Sequence, residues 1–126
     1  MNVVDSSGWI EYLQGTHRAD FFASAIEDRA HLLVPSIALF EVHRILSRSV
    51  DADLVNRCLD VMRLGRVLDF TDARAIAAAE IAARHKLAMA DAAMYAMAQE
   101  FEATFWTQDV DYQGLEGVRY RPKPSA

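Results

Sequence analysis

The chain has one cysteine, Cys58, in 126 residues, so no intrachain disulfide can hold it together. Three prolines and five glycines form no linker or low-complexity tract. No apolar run approaches the ~20 residues that cross a bilayer. The N-terminus lacks a basic segment and carries an acid at position 5, which does not read as a secretory signal. The expectation is an intracellular, cytoplasmic protein with no membrane partner. Lysine is scarce as well: two lysines stand beside eleven arginines, and the net charge is −5. That balance excludes a broadly basic surface gripping nucleic acid without specificity. It leaves open a nucleic-acid enzyme, because carboxylates that hold cations make a bare sequence look more acidic than its working site. Eleven arginines also supply fork-shaped phosphate binders.

What is present suits an ordinary globular protein, 52% apolar and 25% charged. A chain of this length buries roughly two-thirds of its unfolded surface without staples. We expect a single domain over residues 1–126, with about 122–126 as a loose C-terminal tail. Asn2 to Asp5 reads as a buried strand, and Ser6 or Ser7 then caps a helix that Gly15 stops. A second helical face runs from Asp20 to about Arg29. "HLLVPS" is a strand, and Ser36 is placed to cap the helix bearing Glu41. A further helix starts near Asp51 and ends at Gly65. "RVLDF" is the third strand, followed by an alanine-rich helix from Thr71 to His85. "LAMADAAMYAMAQEF" is a helix with Asp91 near its start, "ATFWTQD" the fourth strand and "VRYRP" an edge strand. Strands alternate with helices throughout. This pattern predicts an α/β fold with a mainly parallel sheet of about five strands flanked by helices.

In an open parallel sheet, ligands gather beyond the C-terminal ends of the strands. Asp5 ends the first strand, Glu41 lies about a turn and a half into the helix after the second, Asp91 heads the helix before the fourth, and Asp109 follows "TFWT". Each acid alone has an ordinary role. Asp5 and Asp91 can cap helices, Glu41 can face solvent, and Asp109 and Asp111 can form a turn before Gly114. Together they repel one another and raise one another's pKa unless cations sit among them. Oxygen donors without histidine or cysteine favour Mg²⁺ or Mn²⁺ over zinc. Such metals serve phosphoryl chemistry.

"VVDSSGWIEYL", "VPSIALFEVHRIL" and "ADAAMYAMAQEFEATFWTQDVDYQGLEGV" resemble the PIN-domain ribonucleases, specifically the VapC-type toxins of toxin–antitoxin pairs. The resemblance runs from residue 2 to about 121. It implies a single PIN domain and a metal-dependent endoribonuclease that hydrolyses RNA phosphodiesters and inhibits translation until its antitoxin binds. Carried over by position, it makes Asp5, Glu41, Asp91 and Asp109 the catalytic acids, with Asp5, Asp91 and Asp109 as ligands of Mg²⁺ or Mn²⁺. Asp111 is open between ligand and turn former. Ser6 and Thr107 resemble hydroxyls that orient the carboxylates. The implied partners are RNA (tRNA, rRNA or mRNA) and a cognate antitoxin protein, in a homodimer and a hetero-oligomer with that antitoxin.

Trp9, Tyr12 and Leu13 on one helix, and Leu39, Val42 and Leu46 on another, offer more apolar surface than one stripe can bury. We expect a groove between them, leading into the acid edge, to take an antitoxin helix. Met89, Met94 and Met97 read as core filling, the four histidines lack metal-ligand spacing, and "RYRPK" reads as an exposed edge tail that could also meet RNA phosphates. Rival readings are a flap-type DNA nuclease, a phosphoacceptor receiver module and a non-catalytic PIN scaffold. The first wants extra helical segments that are absent from so short a chain, and the second a lysine at the end of the last strand, where none lies. The third gains nothing while all four acids are present.

Overall fold

The computed structural model describes residues 1–123. Its five strands are β1 (Asn2–Val4), β2 (Leu32–Pro35), β3 (Arg66–Leu68), β4 (Thr104–Thr107) and β5 (Val118–Tyr120). They form one sheet in the order β3-β2-β1-β4-β5, and every neighbouring pair is parallel. Six helices connect them: α1 (Ser6–Gln14), α2 (Ala19–Ile26), α3 (Ser36–Leu46), α4 (Ala52–Met62), α5 (Asp72–His85) and α6 (Met89–Glu100). The expected α/β fold, five strands and edge position of β5 are all found. The three inner strands are almost wholly buried, as strands covered by helices on both faces must be.

Local chemistry explains most boundaries. Asp5, not Ser6 or Ser7, caps α1, and its carboxylate accepts from the Gly8 amide at 2.9 Å. Gly15, at φ 66°, ends that helix with its N–H on the Glu11 and Tyr12 carbonyls. Ser36 is already the first helical residue of α3, whose preceding Pro35 provides no side-chain cap. Helix α2 stops at Ile26 because a 3₁₀ turn over Arg29–His31 intervenes. Helices α4 and α5 begin where expected, directly after Asp51 and Thr71, whose side chains cap them. Helix α4 ends at Met62, before Gly65, whose absent side chain instead makes room for Leu32 and Val34.

Helix α6 is the central one, buried at every position from Ala92 to Ala98. Met94 and Met97 fill the core, whereas Met89 is 67% exposed and does not. Phe105 of β4 packs between Tyr95 and Tyr112, with ring centroids at 5.7 and 4.7 Å. The register places Val4 beside Trp106, and the Asp5 amide donates to the Trp106 carbonyl at 3.1 Å, so β1 and β4 end level. From β1 the chain moves to β2 on one side, and from β4 to β5 on the other. The switch point of the sheet therefore lies between the ends of β1 and β4, where open α/β sheets carry their ligand sites.

The close seating of α1 gives a direct check. A Cβ at buried Gly8 would lie 2.6 Å from the Phe22 ring and 2.7 Å from Val4 Cγ1. Gly8→Ala should therefore destabilise the protein by about 1–3 kcal/mol despite the better helix propensity of alanine. Urea denaturation with an unchanged midpoint would show that α1 is not packed against β1 and α2 in this way.

Candidate metal centre

Three of the acids converge just past the switch point. One carboxylate oxygen each from Asp91, Asp109 and Asp111 lies within 4.8 Å of the others. Asp91 comes from the first turn of α6, Asp109 caps a 3₁₀ turn over Val110–Tyr112 after β4, and Asp111 is the middle residue of that turn. Asp109 caps that turn by accepting from the Asp111 amide at 2.9 Å, which draws the two residues into one tight loop. The turn role and the site role of this pair are therefore compatible.

Asp5 stands behind this group, 3% exposed, with both oxygens engaged. Oδ1 accepts from the Gly8 amide at 2.9 Å and the Ser7 hydroxyl at 3.0 Å, and Oδ2 from the Thr107 hydroxyl at 2.6 Å. The hydroxyl beside Asp5 is thus that of Ser7 and not of Ser6. Thr107 does more than orient Asp5. Its oxygen also accepts from the Asp109 amide at 2.9 Å, so one hydroxyl ties the end of β1 to the acidic turn. Glu41, 15% exposed, pairs with Arg44 at 3.1 Å and stands outside the trio. It nevertheless acts on Asp91 through its charge.

Burial, more than mutual repulsion, governs the protons here. Desolvation lifts the Asp5 carboxyl from 3.8 to about 6 against the lowering bonds from Thr107, Gly8 and Ser7, and Asp109 adds a smaller push. Asp91 is also raised, first by burial, against the Tyr112 hydroxyl, with further pushes from Asp109, Glu41 and Asp111. Tyr112 donates to the Asp91 main-chain oxygen at 3.1 Å. Burial and the neighbouring Asp91 raise its own phenol strongly, so it stays a donor at every physiological pH.

The donor set suits a hard divalent cation. All three groups are carboxylates, and with one oxygen of each no more than 4.8 Å from the others, a single ion can be reached by all three. No histidine or cysteine joins the cluster among the described residues. Sequence reasoning had not singled out Arg18 and Gln108, which are 8% and 3% exposed and are joined by a 2.8 Å bond from Arg18 Nε to Gln108 Oε1. Arg18 Nη2 also donates to the Pro122 carbonyl at 2.7 Å, so the expected tail is anchored at its first residue. Residues 124–126 lie outside the described residues.

Of the six expected groove residues, Trp9 and Val42 are fully buried and Leu46 is 2% exposed. These helices spend the first two side chains on the core. Tyr12 is half-buried with its hydroxyl on Glu27 at 2.9 Å, and Leu39 packs against the core. An apolar groove among the described residues is lined by Leu13, Gln14, Leu46, Val50, Leu54 and Cys58, and encloses about 460 Å³. It lies at the C-terminal ends of α1 and α3, whereas the acids stand at their N-terminal ends. It does not open into the acid edge as expected.

A pH dependence follows from Asp5. Its folded pKa lies above the 3.8 of an unperturbed carboxyl, so the metal-free folded protein holds an extra proton between these values. Its stability should then fall as pH rises from about 4 to about 6, by on the order of 2–3 kcal/mol. Asp5→Asn should remove most of that loss. Denaturation in EDTA at pH 4 and pH 7 checks it; an undiminished loss in the variant would place the effect on other groups.

The PIN-domain family profile matches residues 3–117. No curated protein matches the chain. Solved structures with the same fold include a toxin–antitoxin complex from Klebsiella pneumoniae, 19% identical with a TM-score of 0.79, covering 94% of this chain and 96% of that one. The Mycobacterium tuberculosis VapC20, described as a sarcin–ricin loop cleaving toxin, is 19% identical with a TM-score of 0.76, covering 94% and 99%. VapBC2 from Rickettsia felis, bound to a promoter DNA fragment, is 12% identical with a TM-score of 0.72, covering 96% and 97%. With the profile running from β1 to the residue before β5, the chain belongs to the PIN-domain family.

Proposed function

We propose that this PIN domain is the toxin of a toxin–antitoxin pair, an endoribonuclease dependent on Mg²⁺ or Mn²⁺. The observation that carries the reading is the convergence of Asp91, Asp109 and Asp111 at the switch point, backed by buried Asp5. Asp91, Asp109 and Asp111 would hold the cation, with Glu41 adding negative charge beside Asp91. When bound, the metal supplies activation of water and charge neutralisation on a phosphodiester. The chain supplies the frame. Thr107 fixes Asp109 relative to Asp5, and Tyr112 holds the start of α6 so that Asp91 faces the turn. The fold relatives described as toxin–antitoxin complexes support an antitoxin partner.

Purified protein free of antitoxin should cut RNA with Mg²⁺ or Mn²⁺ and stop in EDTA. Asp91→Asn should lower the rate by at least about 100-fold, since even groups that only support a metal's ligands are commonly worth 10–100-fold. Mn²⁺ should raise the melting temperature of the wild type by binding the folded state, and raise that of Asp91→Asn far less. Full cutting or an equal thermal shift in Asp91→Asn would remove this residue from the metal set.

This groove is the surface we assign to an antitoxin helix, with Leu13, Val50 and Leu54 as its apolar contacts. Leu54 is 43% exposed, so Leu54→Arg should leave the fold intact. Cells co-expressing the antitoxin should be protected from the wild type and poisoned by Leu54→Arg. Equal protection from both would mean that the antitoxin docks on another face.

A further inference from the structure

Arg18 is a buried guanidinium that forms no ion pair among the described residues. It reaches two neutral acceptors instead, Gln108 Oε1 at 2.8 Å and the Pro122 carbonyl at 2.7 Å. A buried charge held by neutral groups calls for a reason, and the geometry of Gln108 supplies one. A glutamine amide offers one acceptor oxygen and one donor nitrogen, which can usually be interchanged. A guanidinium can only donate. Arg18 therefore fixes the amide oxygen toward itself and the amide nitrogen away from it. That nitrogen donates no hydrogen bond among the described residues and, unlike Trp9 Nε1, is not sealed from solvent, so a ligand can reach it.

Gln108 lines a pocket of about 280 Å³ together with Asp109, Val110, Tyr120, Pro122 and Lys123. Through Asp109 this pocket adjoins the carboxylate trio. Its lining brings one cation, Lys123, the last member of the "RYRPK" run. The other two cations of that run are engaged on aromatic faces, Arg119 at 4.7 Å over Trp106 and Arg121 at 5.8 Å over Phe21. Lys123 is the one presented to the pocket. An oriented amide donor beside an ammonium suits an anionic acceptor, and a polynucleotide passing the acids carries one at every nucleotide.

We propose that Gln108, held by Arg18, and Lys123 form a subsite that takes a phosphate of the RNA strand flanking the bond to be cut. The proposal rests on the nuclease reading above. Arg18 is a positioning residue in it, because it acts through Gln108. It also gives the anchored Pro122 a purpose, since the bond from Arg18 sets the backbone that carries Lys123 to the pocket.

The test uses purified full-length toxin, a short single-stranded RNA and saturating Mn²⁺. Gln108→Glu keeps the side-chain shape and offers Arg18 a carboxylate, while removing the amide donor and adding a repelling charge. Lys123→Gln alters an exposed residue and cannot disturb the core. Each should raise KM by about tenfold, as expected for a hydrogen bond or ion contact to a charged group, with the loss on KM and not on kcat. Lys123→Gln should also reduce the salt dependence of RNA binding by about one counterion. Mn²⁺ affinity, measured without RNA, should not fall in either variant, since both changes make the edge more negative. Unchanged KM in both variants, beside a wild type that cuts RNA, overturns the subsite and leaves the nuclease reading standing. A fall in kcat and Mn²⁺ affinity at constant KM also overturns it, because Gln108 would then only hold Asp109. A wild type that does not cut RNA with metal present overturns the nuclease reading, and the subsite falls with it.

Discussion

The Thr107 hydroxyl is the joint on which the acidic edge is built. It donates to Asp5 at 2.6 Å and accepts from the Asp109 amide at 2.9 Å, so one oxygen joins the ends of two central strands to the turn beyond them. A hydroxyl is the smallest group that can donate and accept at once, and serves here in a place 0% exposed. Parallel pairing of β1 with β4 brings the strand ends level, and the burial of α6 presses Asp91 toward the same point. Without the Thr107 bridge, the carboxylates would share an edge but have no common frame.

The same arrangement explains why the acids tolerate one another. Asp5 is both the cap of α1 and a member of the acidic edge, and its helix bonds partly offset the cost of burying it. Below about pH 6 the proton held by Asp5 removes one negative charge from behind the exposed Asp111 and the half-buried Asp91 and Asp109. Glu41 is partly answered by Arg44. The site thus spreads its repulsion over depth.

Much of this was legible in the sequence, for physical reasons. Short apolar runs separated by capped helical stretches locate the strands, and the acids stand at the junctions where a parallel sheet exposes its active edge. Strand order was hidden, because pairing of β1 with β4 depends on residues about a hundred positions apart. Ser7 could not be told from Ser6, since which hydroxyl reaches Asp5 depends on where the first turn of α1 starts. Which apolar side chains of α1 and α3 are buried was hidden too, because helical periodicity reveals that a face is apolar without revealing what covers it. Trp9 and Val42 face the core, whereas Leu13 and Leu54 remain at the surface. Arg18 and Gln108 gave no sequence signal, as nothing local distinguishes a buried arginine from an exposed one.

One consequence of the strand order concerns time. β1 is the middle strand of the sheet, and Asp5 bonds to a residue 102 positions further along the chain. At synthesis rates of about 5–20 residues per second, Asp5 waits on the order of 5–20 seconds for Thr107 to be made. Throughout that interval β1 lacks one of its two neighbours, and Asp109 and Asp111 do not yet exist. The acidic edge therefore closes only once β4 and the turn beyond it have been made, so the pairing of β1 and the gathering of the carboxylates are completed together.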